Sequence, residues 1–108
     1  MKESVKLLKV LSDLTRFSIL KLLKQERMSS SELEEKLDRS QSTISKHLKI
    51  LKEANLIDSE RKGRLKYYGV KNHRILDIIT AIKNFVIKQK KAQLESLKDL
   101  SVSDTLFD

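Results

Sequence analysis

The stretch that decides the fold is residues 40–57, which read SQSTISKHLKILKEANLI. Ile44, Leu48 and Leu51 recur at the spacing of one helix face, and Ser40 stands where a side-chain cap would begin the helix. The opposite face is polar and starts with short side chains, so another molecule can approach it closely. The stretch therefore predicts an amphipathic helix with one face in the core and one face available for binding.

Three further helices are predicted upstream of this stretch from apolar residues at helical spacing. The first covers about residues 3–12, and Ser12 or Asp13 can cap the second. Ser29 and Glu32 have the three-residue spacing of a capping box, in which each side chain bonds the other residue's free backbone amide. A short third helix is therefore expected to begin there and to lead by a tight turn into the helix described above.

Downstream, the apolar period changes from helical to alternating. Residues 57–61 and 64–70 have strand character, and Gly63 lies between them where a tight turn needs a residue that tolerates positive φ. These features predict a β-hairpin with a basic tip. A last long helix is expected at about residues 73–98, followed by a flexible tail at 101–108.

Length and composition restrict the chain to one small domain. Its 108 residues suit a single core, and we assign residues 1–100 to one domain. The chain has no cysteine, which excludes disulfides, thiolate metal sites and cysteine nucleophiles, and no apolar run is long enough to span a membrane. With two histidines far apart in the sequence and no glycine-rich phosphate loop, it offers no catalytic set and no cofactor site. We expect a cytoplasmic, non-enzymatic domain that is mainly α with a small β-hairpin.

Positive charge is concentrated in the middle of the chain. The whole sequence has a formal net charge of +8, from 23 Lys and Arg against 15 Asp and Glu. Residues 36–74 carry eleven basic residues against four acidic ones, whereas the segments on either side are almost balanced. Nucleic acid is the commonest partner of a small basic domain, so the excess favours an anion-binding surface on the predicted helix and hairpin.

The order of two short helices, a tight turn and a basic hairpin is that of a winged helix-turn-helix. In this fold the second helix enters the major groove of double-stranded DNA, and the hairpin, or wing, follows the DNA backbone or the minor groove. Gln41 can pair bidentately with adenine, while serines reach bases or phosphates and lysines suit phosphates. The candidate DNA-binding residues of the helix are Ser40, Gln41, Ser42, Thr43, Ser45, Lys46 and Lys49, and those of the wing are Arg61, Lys62, Gly63, Arg64 and Lys66.

Two stretches resemble signatures of a known family. Residues 40–57 are similar to the recognition helix and strand entry of the ArsR/SmtB repressors of bacteria and archaea, and residues 11–20 are similar to the family's second-helix signature. The resemblance spans roughly residues 5–75 and implies a transcriptional repressor. It also implies a homodimer, formed by the first and last helices, on an operator of two inverted half-sites. The apolar stripes of those helices give the candidate dimer interface: Val5, Leu8, Ile75, Ile78, Ile79, Ile82, Phe85 and Val86.

The metal sites of the family are missing from this sequence. Members that sense metals carry cysteines in the first helix of the helix-turn-helix, where residues 32–37 here read ELEEKL. Others carry an Asp and His pair at the start of the last helix; Asp77 is present, but Ile79 stands two residues on and no histidine follows. The resemblance therefore implies no metal ligands, and the effector is left open.

His47 borders both faces of its helix and is expected to pack or hydrogen-bond within the domain.

Two other functions remain open from the sequence. An abundant chromatin-like protein would coat DNA with a steep salt dependence and little sequence preference. A winged-helix interaction module would bind a protein, and its binding would survive replacement of Gln41, Ser45 and Arg64 with alanine. The combination of a polar helix face and a basic wing favours the sequence-specific regulator.

Overall fold

The computed structural model describes the backbone of residues 1–107 and the side chains of residues 1–99. Residues 1–76 form one compact unit and the chain from residue 77 onward forms a second. The described backbone contains five helices and three short strands, in the order α1 (Lys2–Leu11), α2 (Leu14–Gln25), β1 (Met28–Ser29), α3 (Ser30–Leu37), α4 (Gln41–Glu53), β2 (Ile57–Lys62), β3 (Leu65–Val70) and α5 (Arg74–Phe107). The predicted class, a winged helix-turn-helix with long terminal helices, is confirmed.

Side-chain caps begin three of the helices as predicted. Asp13 caps α2 and Ser40 caps α4, each accepting the backbone N–H three residues further along, at 3.1 and 3.2 Å. At the start of α3, the Ser29 hydroxyl accepts the Glu32 amide at 3.2 Å, and the Glu32 carboxylate accepts the Ser29 amide at 3.1 Å. The capping box is therefore confirmed. Because a cap satisfies amides that have no partner within the helix, these short polar side chains fix where each helix starts.

Left-handed backbone positions set the tight connections around α4. Asp38 has φ of 52° and ends α3, and Asn55 has φ of 60° just after α4. Gly63 has φ of 64° at the tip of the hairpin, where a side chain would be strained. The first two positions hold Asp and Asn, the residues other than glycine that adopt this conformation most readily. These turns orient α4 against both α3 and the wing.

The sheet contains one strand more than the sequence predicted. Its order is β1-β3-β2, and both pairings are antiparallel. The hairpin has the expected register, with Ile57 opposite Val70 and Lys62 opposite Leu65. The additional strand, β1, places Met28 opposite Tyr68. Two residues are too few to show an alternating pattern, so the prediction of a two-stranded hairpin was incomplete.

A single apolar core supports α4 from behind. The largest fully buried side chains come from α2, α3, α4 and β2: Ile19, Leu20, Leu33, Ile44, Leu51 and Ile57. Leu48 is also buried, so the predicted core stripe of α4 is confirmed. Because one face of α4 is held in this core, its opposite face is turned outward.

The last helix starts one residue after the predicted position and runs further. It begins at Arg74, where the Asn72 side chain accepts the Arg74 amide at 3.1 Å, and it ends at Phe107. The predicted end at residue 98 was wrong, because no glycine or proline follows Gly69 and nothing in the sequence stops the helix. The predicted flexible tail, 101–108, lies outside the residues whose side chains are described. Within the described residues, no helix combines the length and apolar character needed to cross a bilayer.

Candidate nucleic-acid interface

The outward face of α4 carries the residues that the sequence predicted for DNA contact. Among them only Thr43 is half-buried, because it turns toward the cap. The exposed members on the helix are Gln41, Ser42, Ser45, Lys46 and Lys49. They lie on the first two and a half turns, with the short side chains nearest the N-terminus. A base edge or a phosphate can therefore come close to the helix start, and the lysines extend over its flank.

Ser40 is placed to hold the start of the helix. Its hydroxyl accepts the Thr43 amide at 3.2 Å, donates to the Thr43 hydroxyl at 2.9 Å and lies 3.2 Å from the Ser42 hydroxyl. This network fixes the first turn, whose amides point outward with the positive end of the helix dipole. Ser40 thus holds the backbone and the side chains of the first turn of α4 in place by hydrogen bonds.

The wing brings four cations together at one end of the sheet. Arg61, Lys62, Arg64 and Lys66 are all exposed around the turn at Gly63. Arg61 lies directly opposite Lys66 in the strand register, and like charges facing each other across two strands are destabilising. A free protein gains nothing from this arrangement. An anion that lies along the tip would relieve the repulsion, as a phosphate backbone does.

Arg27, which the sequence analysis did not single out, lies at the base of the wing. Its Nη2 donates to the Asp58 carboxylate at 2.7 Å, and its Nη1 donates to the Tyr67 carbonyl at 3.5 Å. Glu60 is within 3.9 Å of the same guanidinium group. These contacts join the segment after α2 to both strands of the hairpin.

Arg16 also joins α4 to the α1–α2 junction. Its Nη1 lies 3.1 Å from Nδ1 of His47, and its Nε donates to the Val10 carbonyl at 2.6 Å. The carboxylate of Asp13 is 3.8 Å from the same His47 nitrogen. The expected hydrogen bond of His47 within the domain is therefore confirmed. Its signal in the sequence was a position that borders both faces of α4.

Burial and neighbouring cations favour the neutral form of His47. Desolvation lowers the pKa of the ring below its usual 6.5, and the positive charges of Arg16, Lys46 and Arg39 lower it further, against the opposing effect of Asp13. A neutral ring can accept the N–H of Arg16 at Nδ1, whereas a protonated ring cannot. The pKa of Asp13 is also lowered, mainly because its carboxylate accepts the Arg16 amide.

We expect stability to fall as pH drops below about 6.5, the usual pKa of histidine. Because the pKa of His47 is lower in the folded protein than in the unfolded chain, the unfolded chain takes up the proton first and is favoured as pH falls. Urea unfolding at pH 7.5 and pH 5.5 measures the change. His47→Gln should reduce this pH dependence and His73→Gln, at an exposed histidine, should retain it. Equal slopes in the two variants would contradict the assignment to His47.

The candidate dimer residues divide into buried and exposed groups. In the first unit, Val5 and Leu8 are exposed on α1, Leu8 by 60%, whereas Ile75 is buried. In the second unit Ile79 is buried. The remaining four are exposed on α5, to between 42% and 63%: Ile78, Ile82, Phe85 and Val86. Ile75 and Ile79 are thus covered within one chain, while six of the eight residues leave apolar surface open.

Among the described residues, no cluster of three or more metal-ligating side chains occurs. Residues 32–37, where the resemblance pointed to a metal-binding stretch, form part of α3 and contain the capping carboxylate of Glu32. That carboxylate therefore already accepts a hydrogen bond from the Ser29 amide at the start of α3.

Comparisons with known proteins agree with this geometry. A family model described as "Bacterial regulatory protein, arsR family" matches residues 13–59, which run from the cap of α2 into β2. The transcriptional repressor SdpR of Bacillus subtilis is 40% identical over 80 residues, covering 74% of this chain and 89% of that protein. The arsenical resistance operon repressor of Staphylococcus aureus is 36% identical over 85 residues, covering 79% of this chain and 81% of that protein.

A solved structure supports the fold independently. The homodimeric winged helix-turn-helix DNA-binding domain of a possible ArsR-family regulator from Mycobacterium bovis matches with a TM-score of 0.73. The match covers 81% of each chain at 21% sequence identity. At that identity the likeness concerns the fold alone.

Proposed function

Because the chain belongs to the arsR family of bacterial regulatory proteins, we propose that it represses transcription as a homodimer bound to an operator of two inverted half-sites. The observation that carries the proposal is the polar face of α4, fixed by the core behind it and flanked by four exposed cations of the wing. Such a surface combines groups that read bases with groups that bind phosphate.

Within the major groove, Gln41 is assigned to an adenine edge, where its amide can both donate and accept. Ser42 and Ser45 are assigned to a base or a phosphate at the same end of α4. Lys46 and Lys49 are assigned to phosphates, and the amides of the first turn add a further phosphate site. In this proposal the first half of α4 recognises bases, and the lysines along its side bind phosphates of the DNA backbone.

The wing is assigned to the DNA backbone. Its cations supply affinity that does not depend on sequence, and they add to the salt dependence of binding. The close approach of Arg61 and Lys66 fits this role, because a phosphate between them would remove their repulsion.

The dimer is assigned to the exposed apolar residues of α1 and α5. Among the candidate interface residues, the most exposed are Leu8 on α1 and Phe85 on α5, at 60% and 63%. A closed twofold dimer sets two recognition helices about one turn of DNA apart, roughly 34 to 36 Å, which requires an inverted repeat in the operator.

Selection of genomic DNA fragments by the purified protein tests the proposal directly. We expect an enriched inverted repeat with half-sites spaced by one helical turn, bound at least about a thousandfold more tightly than unrelated DNA. Binding with a steep salt dependence but no enriched sequence would support the chromatin-like alternative instead. Absence of DNA binding, together with retention of a protein partner by a Gln41, Ser45 and Arg64 alanine variant, would support an interaction module.

Replacing two cations of the wing is expected to weaken binding to all DNA sequences alike. Because the dimer carries two wings, Arg61→Ala with Arg64→Ala removes four phosphate contacts and should reduce the slope of log affinity against log salt by about 3.6, at about 0.9 for each contact. Fluorescence titrations at several salt concentrations measure the slope. Lys88→Ala with Lys91→Ala, which removes the same charge from exposed positions on α5, should leave it unchanged. A slope that falls equally in both variants would show that only net charge matters.

A further inference from the structure

Gly69 lies within β3, next to its last residue, where no turn requires a glycine. The residue is buried, and its backbone is not in the left-handed region, unlike that of Gly63. A Cβ atom at Gly69 would lie 2.8 Å from Cζ of Arg27 and 3.0 Å from its Cγ and Nε. The glycine is therefore explained by the Arg27 side chain, which crosses β3 in direct contact with its backbone.

Beyond Gly69, the guanidinium group of Arg27 lies against the carboxylates of Asp58 and Glu60 on β2. Asp58 is directly opposite Gly69 in the strand register, and Glu60 is opposite Tyr67. Residues two apart on a strand point to the same face, so both carboxylates lie on the face that Arg27 crosses. The distances from Nη2 to the two carboxylates, 2.7 and 3.9 Å, show that one cation serves both.

These two carboxylates are the only acidic residues of β2 and β3. Glu60 is adjacent to Arg61, and Asp58 is three residues, or about 10 Å, from it along the strand. That separation is about one Debye length at 0.1 M salt, so their negative charge acts on a phosphate bound at the tip. A neutralising cation on this face therefore affects DNA binding without touching DNA.

We propose that Arg27 is a positioning residue for the wing, which neutralises Asp58 and Glu60 and anchors both hairpin strands while Gly69 leaves room for its side chain. Removing Arg27 frees two carboxylates beside the phosphate-binding tip and loosens the base of the hairpin. The inference rests on the proposed DNA-binding function and adds a residue that lies outside the DNA-contacting surface.

The contact between Gly69 and Arg27 is tested by a double-mutant cycle on stability. Gly69→Ala in the natural chain should lower the melting temperature by about 4 to 8 °C, because the new methyl group displaces Arg27. In an Arg27→Ala background the same substitution should have little effect, since Cγ, Nε and Cζ are then absent. Equal shifts in both backgrounds would overturn this part of the inference.

The effect on DNA is tested by titrating a 30-base-pair duplex of mixed sequence at 50 mM salt. Arg27→Met should bind about fivefold more weakly than the natural chain, because two carboxylates near the tip then lose the cation that neutralises them. Lys24→Met, which removes the same charge from an exposed position on α2, should change affinity by less than about twofold. Circular dichroism of each variant checks that the fold is retained.

Neutralising the carboxylates distinguishes charge masking from a merely structural role. Adding Asp58→Asn and Glu60→Gln to Arg27→Met should restore affinity to within about twofold, whereas a disordered hairpin would not recover. If the natural chain binds the duplex and Arg27→Met binds as tightly as Lys24→Met, or if the triple variant fails to recover, the inference is wrong. If the natural chain itself does not bind the duplex, the proposed function fails instead, and with it the role of Arg27 in DNA binding.

Discussion

Ile82→Glu combined with Phe85→Glu is expected to produce a folded monomer whose affinity for an inverted-repeat operator is about a hundredfold lower or worse. Both side chains are exposed on α5, so the single chain tolerates the change, whereas a twofold interface would bring the new charges together in an apolar surface. A monomer also loses the second half-site, whose binding within a dimer gains two or more orders of magnitude from effective concentration. Light scattering after gel filtration and operator titration measure the two effects.

Thr80→Glu with Asn84→Glu is the matched control for that pair. Both positions are exposed on α5 and lie on the side of the helix away from Ile82 and Phe85, at 100° per residue. This variant carries the same added charge and should remain a dimer with nearly full affinity. Dimerisation of the Ile82 and Phe85 variant would contradict the assignment of α5 to the interface.

Gln41→Ala with Ser45→Ala is expected to lower the specificity ratio, operator over unrelated DNA, by about a hundredfold. A bidentate contact to a base contributes about 1 to 3 kcal/mol of discrimination, and a single hydrogen bond adds less. Affinity for unrelated duplex should hardly change, because the cations remain. Competition titrations with operator and scrambled duplexes give the ratio.

The wing provides the contrasting variant for this measurement. Arg61→Ala with Arg64→Ala should weaken both duplexes to a similar degree and so preserve the ratio. If the Gln41 and Ser45 variant also preserves it, sequence reading resides elsewhere on the surface.

Local signals in the sequence predicted most of the fold. The caps at Asp13, Ser29 and Ser40 depend on residues three apart, and the stripe of α4 depends on one helix turn, so both could be recognised without a structure. The hairpin was recognisable because six residues on each side alternate around Gly63. In each case the interaction that fixes the element lies within the element itself.

The parts that sequence reasoning missed depend on residues distant in the chain. Strand β1 is two residues long and exists only because β3 offers it a partner. Arg27 and Asp58 are separated by 31 positions, and so are Arg16 and His47. No periodicity links such pairs, although a glycine within a predicted strand was a sign that another group lies close to the backbone of β3 at Gly69.

The sequence predicted which residues belong to the candidate site, but not which of them cap a helix, are buried or are exposed. The polar face of α4 and the basic wing follow from spacing and charge. The hydrogen bonds of Ser40 in the first turn, and the burial of Ile75 and Ile79, depend on the three-dimensional structure. Exposure cannot be deduced from an apolar stripe alone, because one stripe can serve both a core and an interface.

The guanidinium group of Arg16 connects the end of α1 to the middle of α4. It donates to the carbonyls of Val10 and Lys9 at the end of α1 and to His47 in α4, using one flat and inflexible group for all three. The end of α1 and His47 of α4 therefore share one hydrogen-bonding group. Val5 and Leu8 are exposed on this same α1, so a partner that covers them would bind a helix that lies one side chain away from α4. Arg16 thus joins the position of α1 to the position of α4 by direct hydrogen bonds.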